Sequence, residues 1–155
     1  MEIYFVNICI EWLYKLYNEY IDNLLIFIKN NFNLNVKTIL IDPNFNYLDI
    51  FDKIYNSNNK YIFCGNYIAI NKIFDKYDFS KKFYYLNIEQ MSHHSYFKEI
   101  NLLNQDFKII DYSEENIPFI KNIFSDVFLL PPIYENENIL FNDKNIDIIS
   151  FSNIL

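Results

Sequence analysis

KFYYLNIEQMSHHSYFKEI (82–100), FKIIDYSEENIPFIKNIF (107–124) and VFLLPPIY (127–134) decide the fold of this chain. Each opens on an apolar run of aromatic and aliphatic residues and then breaks into polar ones. Residues 83–88, 107–110 and 127–130 therefore read as strands. Residues 95–103, and those following Ser113, read as the helices between them. Ser113 suits an N-cap, and Glu114 and Glu115 fall in the first turn, where the helix dipole favours acids. Strands separated by helices imply a parallel sheet joined by right-handed crossovers.

The pattern extends upstream. Residues 3–9 form a continuous apolar run, as expected of a strand buried on both faces. A long helical stripe follows over 11–30, carried by Trp12, Leu16, Tyr20, Leu24 and Ile28 among others. Residues 36–41 are a second strand, stopped by the turn signal Asp42-Pro43-Asn44. A short helix over 48–55 ends at Ser57-Asn58-Asn59. Residues 61–64 are a third strand, closed by Gly65-Asn66, and 67–77 are helical. Downstream, Pro131-Pro132 stops pairing after the sixth strand. A polar linker spans 135–145, and 146–151 is a seventh strand-like run. The expected architecture is a three-layer α/β/α sandwich, Rossmann-like, with a mainly parallel sheet of six to seven strands. Residues 1–134 form that domain, and 135–155 are a linker and the opening of a second one.

Composition narrows the function. At 155 residues the chain is long enough for one real core. Aromatic residues make up 20% of it, arginine is absent, and Gly65 is the one glycine. Abundant Ile, Asn, Lys, Tyr and Phe with so little Gly and Ala is the profile of an AT-rich genome. The Asn and Tyr content is therefore no sign of sugar chemistry. A net charge of −7 without a lysine cluster lacks the electrostatic footprint of a nucleic-acid binder, and it disfavours anionic membranes. Apolar segments are too short and too charged for a membrane span. Met1-Glu2 does not open a signal peptide. Cys9 and Cys64 lie in apolar runs and read as buried thiols of a reducing compartment, so the expected location is cytoplasmic.

Several chemistries fail on spacing. A dinucleotide fingerprint needs three glycines after the first strand and a P-loop needs two plus Lys, whereas the first turn is Cys9-Ile10-Glu11. There is no HExxH and no GxSxG. His93 and His94 are adjacent, so on a helix they point about 100° apart and do not share a metal. No cofactor or metal is implied.

Polar residues collect where strands end, which is where open α/β sheets bind ligands. Asn87, Glu89 and Gln90 follow the fourth strand, with His93 and His94 in the same loop. Asp111, Tyr112 and Ser113 follow the fifth. Glu89 is the first candidate for a base that takes a hydroxyl proton, and His93 is the second; the competing reading is that Glu89 caps a helix or binds backbone amides. His94, Gln90 and Asn87 are candidate substrate contacts. Tyr112 and Ser113 would sit on a cleft rim, and Asn116 is a candidate either for substrate or for tying its helix start to a neighbouring loop.

The same segments resemble a known group. Tyr84-Tyr85-Leu86-Asn87-Ile88-Glu89-Gln90, Asp111-Tyr112-Ser113-Glu114-Glu115-Asn116 and Leu130-Pro131-Pro132-Ile133-Tyr134 are similar to the N-terminal half of GT-B type glycosyltransferases. Asp147-Ile148-Ile149-Ser150-Phe151 resembles the first strand of the second half, although Ser152-Asn153 stand where a glycine is usual. The resemblance covers 82–151, and over 1–81 it is architectural. It implies an acceptor-side domain holding a saccharide or other hydroxyl acceptor. A second half, which this chain does not reach, would supply the nucleotide-sugar donor, so the domain alone is expected to be inactive or very weak. A homodimer covering an exposed apolar face is also compatible. The alternative is a non-catalytic module that binds saccharide or protein.

Overall fold

The structure, a computed structural model, describes residues 2–10, 15, 21–26, 29–30, 35–77, 83–88 and 98–130. Six parallel strands run in the order β2-β1-β3-β4-β5-β6. They are β1 Ile3–Ile8, β2 Val36–Ile41, β3 Lys60–Gly65, β4 Phe83–Asn87, β5 Lys108–Asp111 and β6 Val127–Leu129. Helices α1 Tyr47–Ile54, α2 Tyr67–Lys76 and α3 Ile117–Ile120 connect later strands, and residues 21–26 are helical between β1 and β2. This is the α/β sandwich that the strand–helix alternation predicts. The expected seventh strand and linker lie outside the described residues.

The layering follows from the strand order. From β1 the chain steps one way to β2, then crosses back past β1 to β3 and continues in that direction. With right-handed crossovers, a reversal of direction puts the first connection on one face and all later ones on the other. The core shows this division. Tyr4, Val6 and Ile8 of β1 share a buried cluster with Phe51 of α1, Ile70 and Ile73 of α2, and Ile120 at the end of α3. Ile3 and Phe5 point the opposite way and pack with Ile21 and Leu24.

The first cluster is largely aromatic. Phe51 lies within ring contact of Tyr61 at 5.1 Å, Phe63 at 5.5 Å, Tyr77 at 5.5 Å and Phe83 at 6.0 Å. Offset and edge-on pairs of this kind add to simple area burial. Burial on both faces holds for β1 and β4, where every residue is buried. It does not extend to β2, whose Lys37, Thr38 and Leu40 are exposed because β2 is the sheet edge. Lys37 pairs with Glu2 at 2.5 Å there, and a charged edge discourages pairing with another chain.

Candidate functional site

The direction of travel reverses at β1, so the crevice between β1 and β3 is the topological switch point, where this class of sheet binds ligands. A cavity of about 560 Å³ lies there, within the rough 300–1,000 Å³ range of small-molecule sites. Asn7, Cys9 and Ile10 line it from β1 and its exit. Gly65, Asn66 and Tyr67 line it from the β3–α2 turn, and Tyr85 and Ile88 from β4 and its exit.

The β3–α2 turn is built around Gly65. Its φ is +108°, and a Cβ placed there would stand 2.3 Å from the backbone oxygen of Ile8. That oxygen accepts the N–H of Asn66 at 2.8 Å. Only glycine lets β1 and β3 approach this closely while the chain turns into α2. Asn66 then caps α2, its side-chain oxygen accepting the Ala69 N–H at 2.9 Å. Sequence reasoning took Gly65 only as the end of a strand; here it shapes the cavity wall.

Tyr67 and Tyr85 lie with ring centroids 5.2 Å apart. The Tyr85 hydroxyl donates to the Gly65 carbonyl at 3.4 Å. Burial, reinforced by Tyr67 and Cys64, pushes that phenol well above its ordinary range. Tyr85 is therefore a neutral donor and not a base at physiological pH. Cys9 and Cys64 are both buried and neither is in a disulfide, in keeping with the thiol reading. Glu99 is the one charged residue lining the cavity among the described residues.

Asn7 is the feature that the sequence reading passed over. It is 2% exposed, and its side-chain nitrogen has no hydrogen-bond partner among the described residues. Its signal was visible: a single amide inside the otherwise apolar run 3–9.

The residues singled out from the sequence separate into two groups. Glu89, Gln90, His93 and His94 lie outside the described residues. Asn87, Tyr112, Ser113 and Asn116 are described, and none of them lines the cavity. Asn87 and Asp111 stand directly opposite in the β4–β5 register. The Asn87 amide donates to the Asp111 carboxylate at 2.5 Å, and the Asn116 amide donates to the same group at 3.1 and 3.2 Å. The Ser113 N–H adds a bond of 2.7 Å. Asp111, Asn87 and Asn116 are fully buried. Burial pushes the Asp111 carboxyl above its ordinary value, against the pull of the Asn87, Ser113 and Asn116 donors.

This knot fixes where the β5 exit and α3 begin. Asn116 ties the helix start to the end of β5. The helix starts at Ile117 with Asn116 in the N-cap position, and not at Ser113. Pro118 in the first turn favours that later start. Tyr112 and Ser113 are half-buried beside the knot.

No group of three or more metal-ligating side chains occurs among the described residues, and no helix there is long and apolar enough to cross a membrane. Comparison with protein-family models, with curated proteins and with solved structures finds no match to this chain.

Proposed function

We propose that this chain is the acceptor-side half of a GT-B type glycosyltransferase. The observation that carries the reading is the cavity at the carboxyl ends of β1, β3 and β4. It offers a pocket of small-molecule size with amide and hydroxyl groups on largely apolar walls. The described walls carry no lysine, and the glycine-rich cradle that holds nucleotide phosphates is absent from the sequence. Such a pocket suits a hydroxyl acceptor better than a nucleotide diphosphate. The donor would be held by a second Rossmann-like half facing this one.

In that arrangement the acceptor oxygen attacks the anomeric carbon of the donor, the nucleotide leaves with the glycosidic bond electrons, and a base takes the hydroxyl proton. Glu89 is the proposed base, with His93 the second candidate. The chain enters that loop from Ile88, which lines the cavity. Asp111, Asn87 and Asn116 act behind the site by fixing the strand ends, which accounts for their place in the motifs without requiring contact with substrate. Ile68 and Leu102, which line the cavity while 61% and 58% exposed, are apolar surface of the kind that an opposing half covers.

Ligand-observed NMR on this chain tests the reading with two sets of compounds, hydroxyl acceptors including free saccharides, and nucleotide sugars. Binding of acceptors without nucleotide sugars is expected. Clear nucleotide-sugar binding would place the donor site in this half and overturn the division of labour. Silence from both sets would favour a non-catalytic interaction module.

A further inference from the structure

We propose that the switch-point cavity binds a small neutral molecule, mostly apolar or aromatic, whose oxygen acceptor takes a hydrogen bond from the Asn7 side-chain amide. As a statement about the acceptor this rests on the transferase reading; as a statement about binding it does not.

Three observations converge. First, Asn7 is buried at 2% exposure and its Nδ2 has no partner among the described residues. A buried donor without an acceptor is costly, and the large majority of such groups in native proteins are satisfied. Second, this donor belongs to a residue that lines a cavity of about 560 Å³, room for one or two rings. Water alone would need about two to four polar partners to be held well beside it, and the lining residues next to it in sequence and register are Ile8, Cys9 and Cys64. Third, the charge pattern selects against anions. Glu99 lines the cavity, and no lysine does so among the described residues. A carboxylate or phosphate would meet no counter-charge among the described walls, whereas a carbonyl or neutral hydroxyl oxygen would accept the amide at little desolvation cost.

Asn7 also sits where an anchor has most effect. It is next to last in β1, paired on one side with Leu40 and on the other with Cys64. A ligand oxygen bound to it is held by the middle of the sheet and not by a mobile surface residue, so its orientation is set by the scaffold.

The test uses saturation-transfer NMR and titration on the whole chain. The probes are 4-hydroxyacetophenone with its phenol protonated, 4-hydroxybenzoate as the anion of matched size, methyl glucoside, and UDP-glucose. The neutral aromatic ketone should bind at least about tenfold more tightly than the other three. Asn7→Leu, with the same branching but lacking the amide, should weaken it about tenfold, the equivalent of one lost hydrogen bond of about 1.4 kcal/mol. Asn7→Ala, which removes the donor and opens space, should lose affinity in the same way. Circular dichroism checks that both variants remain folded. Unchanged affinity in both variants, or equal binding of 4-hydroxybenzoate, overturns the proposal. So does silence from every probe, which would mean that water alone satisfies the amide. UDP-glucose binding together with Asn7-dependent binding of the ketone would support this inference while sinking the acceptor-side reading.

Discussion

Gly65→Ala tests the account of the switch point most directly. Two costs add at this position. A left-handed backbone costs an L-residue about 1–2 kcal/mol, and φ here is +108°. The new Cβ would also meet the Ile8 oxygen at 2.3 Å and its carbonyl carbon at 2.9 Å. Those atoms belong to a strand paired on both sides, so they have little room to withdraw. Forced overpacking of this kind costs roughly 1–3 kcal/mol. The sum is about 3 kcal/mol, a large share of the roughly 5–15 kcal/mol that holds a domain folded. For a chain of this size that corresponds to a fall in Tm of about 10 °C. Urea unfolding followed by circular dichroism gives the free-energy difference without needing reversible heating. Asn66→Ala serves as the neighbouring control, with an expected loss of about 1 kcal/mol from the cap alone. If Gly65→Ala costs no more than that control, the close approach of β1 and β3 is not what the turn requires, and the reasoning fails.

Phe51→Ala removes a ring that touches Tyr55 just past α1 and aromatic side chains of β3 and β4; it should cost about 3–5 kcal/mol in the same urea assay. Asn7→Leu should do the reverse, raising stability by about 1–3 kcal/mol because it removes an orphaned buried donor, and a destabilised variant would show that the amide has a structural partner. Since the Asp111 carboxyl is raised in the folded state, protonation favours folding. Its contribution is full below the unfolded value of about 3.9 and is lost as pH rises through the folded value. A carbon-13 titration of this carboxyl should therefore give a midpoint above about 3.9, and a lower one would mean that the donor bonds outweigh burial. In an enzyme carrying both halves, Glu89→Ala should keep the fold and abolish transfer, with an unfolded variant pointing instead to a capping role for Glu89.

The strands were legible because parallel, doubly covered strands carry continuous apolar runs, and β2 over 36–41 agrees to the residue with its turn signal. The strand order was not legible. Nothing in the apolar run of β1 says that β2 lies to one side and β3 to the other, yet that order creates the switch point. The polar residues of 87–116 show a second limit. Asn87, Asp111 and Asn116 look like site residues when strand ends are read one at a time. Cross-strand register turns Asn87 and Asp111 toward each other, and Asn116 joins them. Asn7 was missed for the opposite reason. Averaging over an apolar run hides the one residue in it that is chemically out of place, and the folded structure is needed to show that its amide nitrogen has no partner among the described residues.

The order of the sheet also sets the order in which the chain can be finished. β1 is synthesised before its partners, β2, which begins at Val36, and β3, where Ile3 pairs with Lys60. No hairpin forms early to shelter it. During synthesis the run Ile3–Ile8, apolar but for Asn7, has no partner until β2 follows, and its other edge stays open until β3 is made. Non-local pairing of this kind slows folding and leaves unpaired strands open to aggregation. The amide near the end of that run then has a use during synthesis: a polar side chain makes a nascent apolar strand less prone to stack on copies of itself.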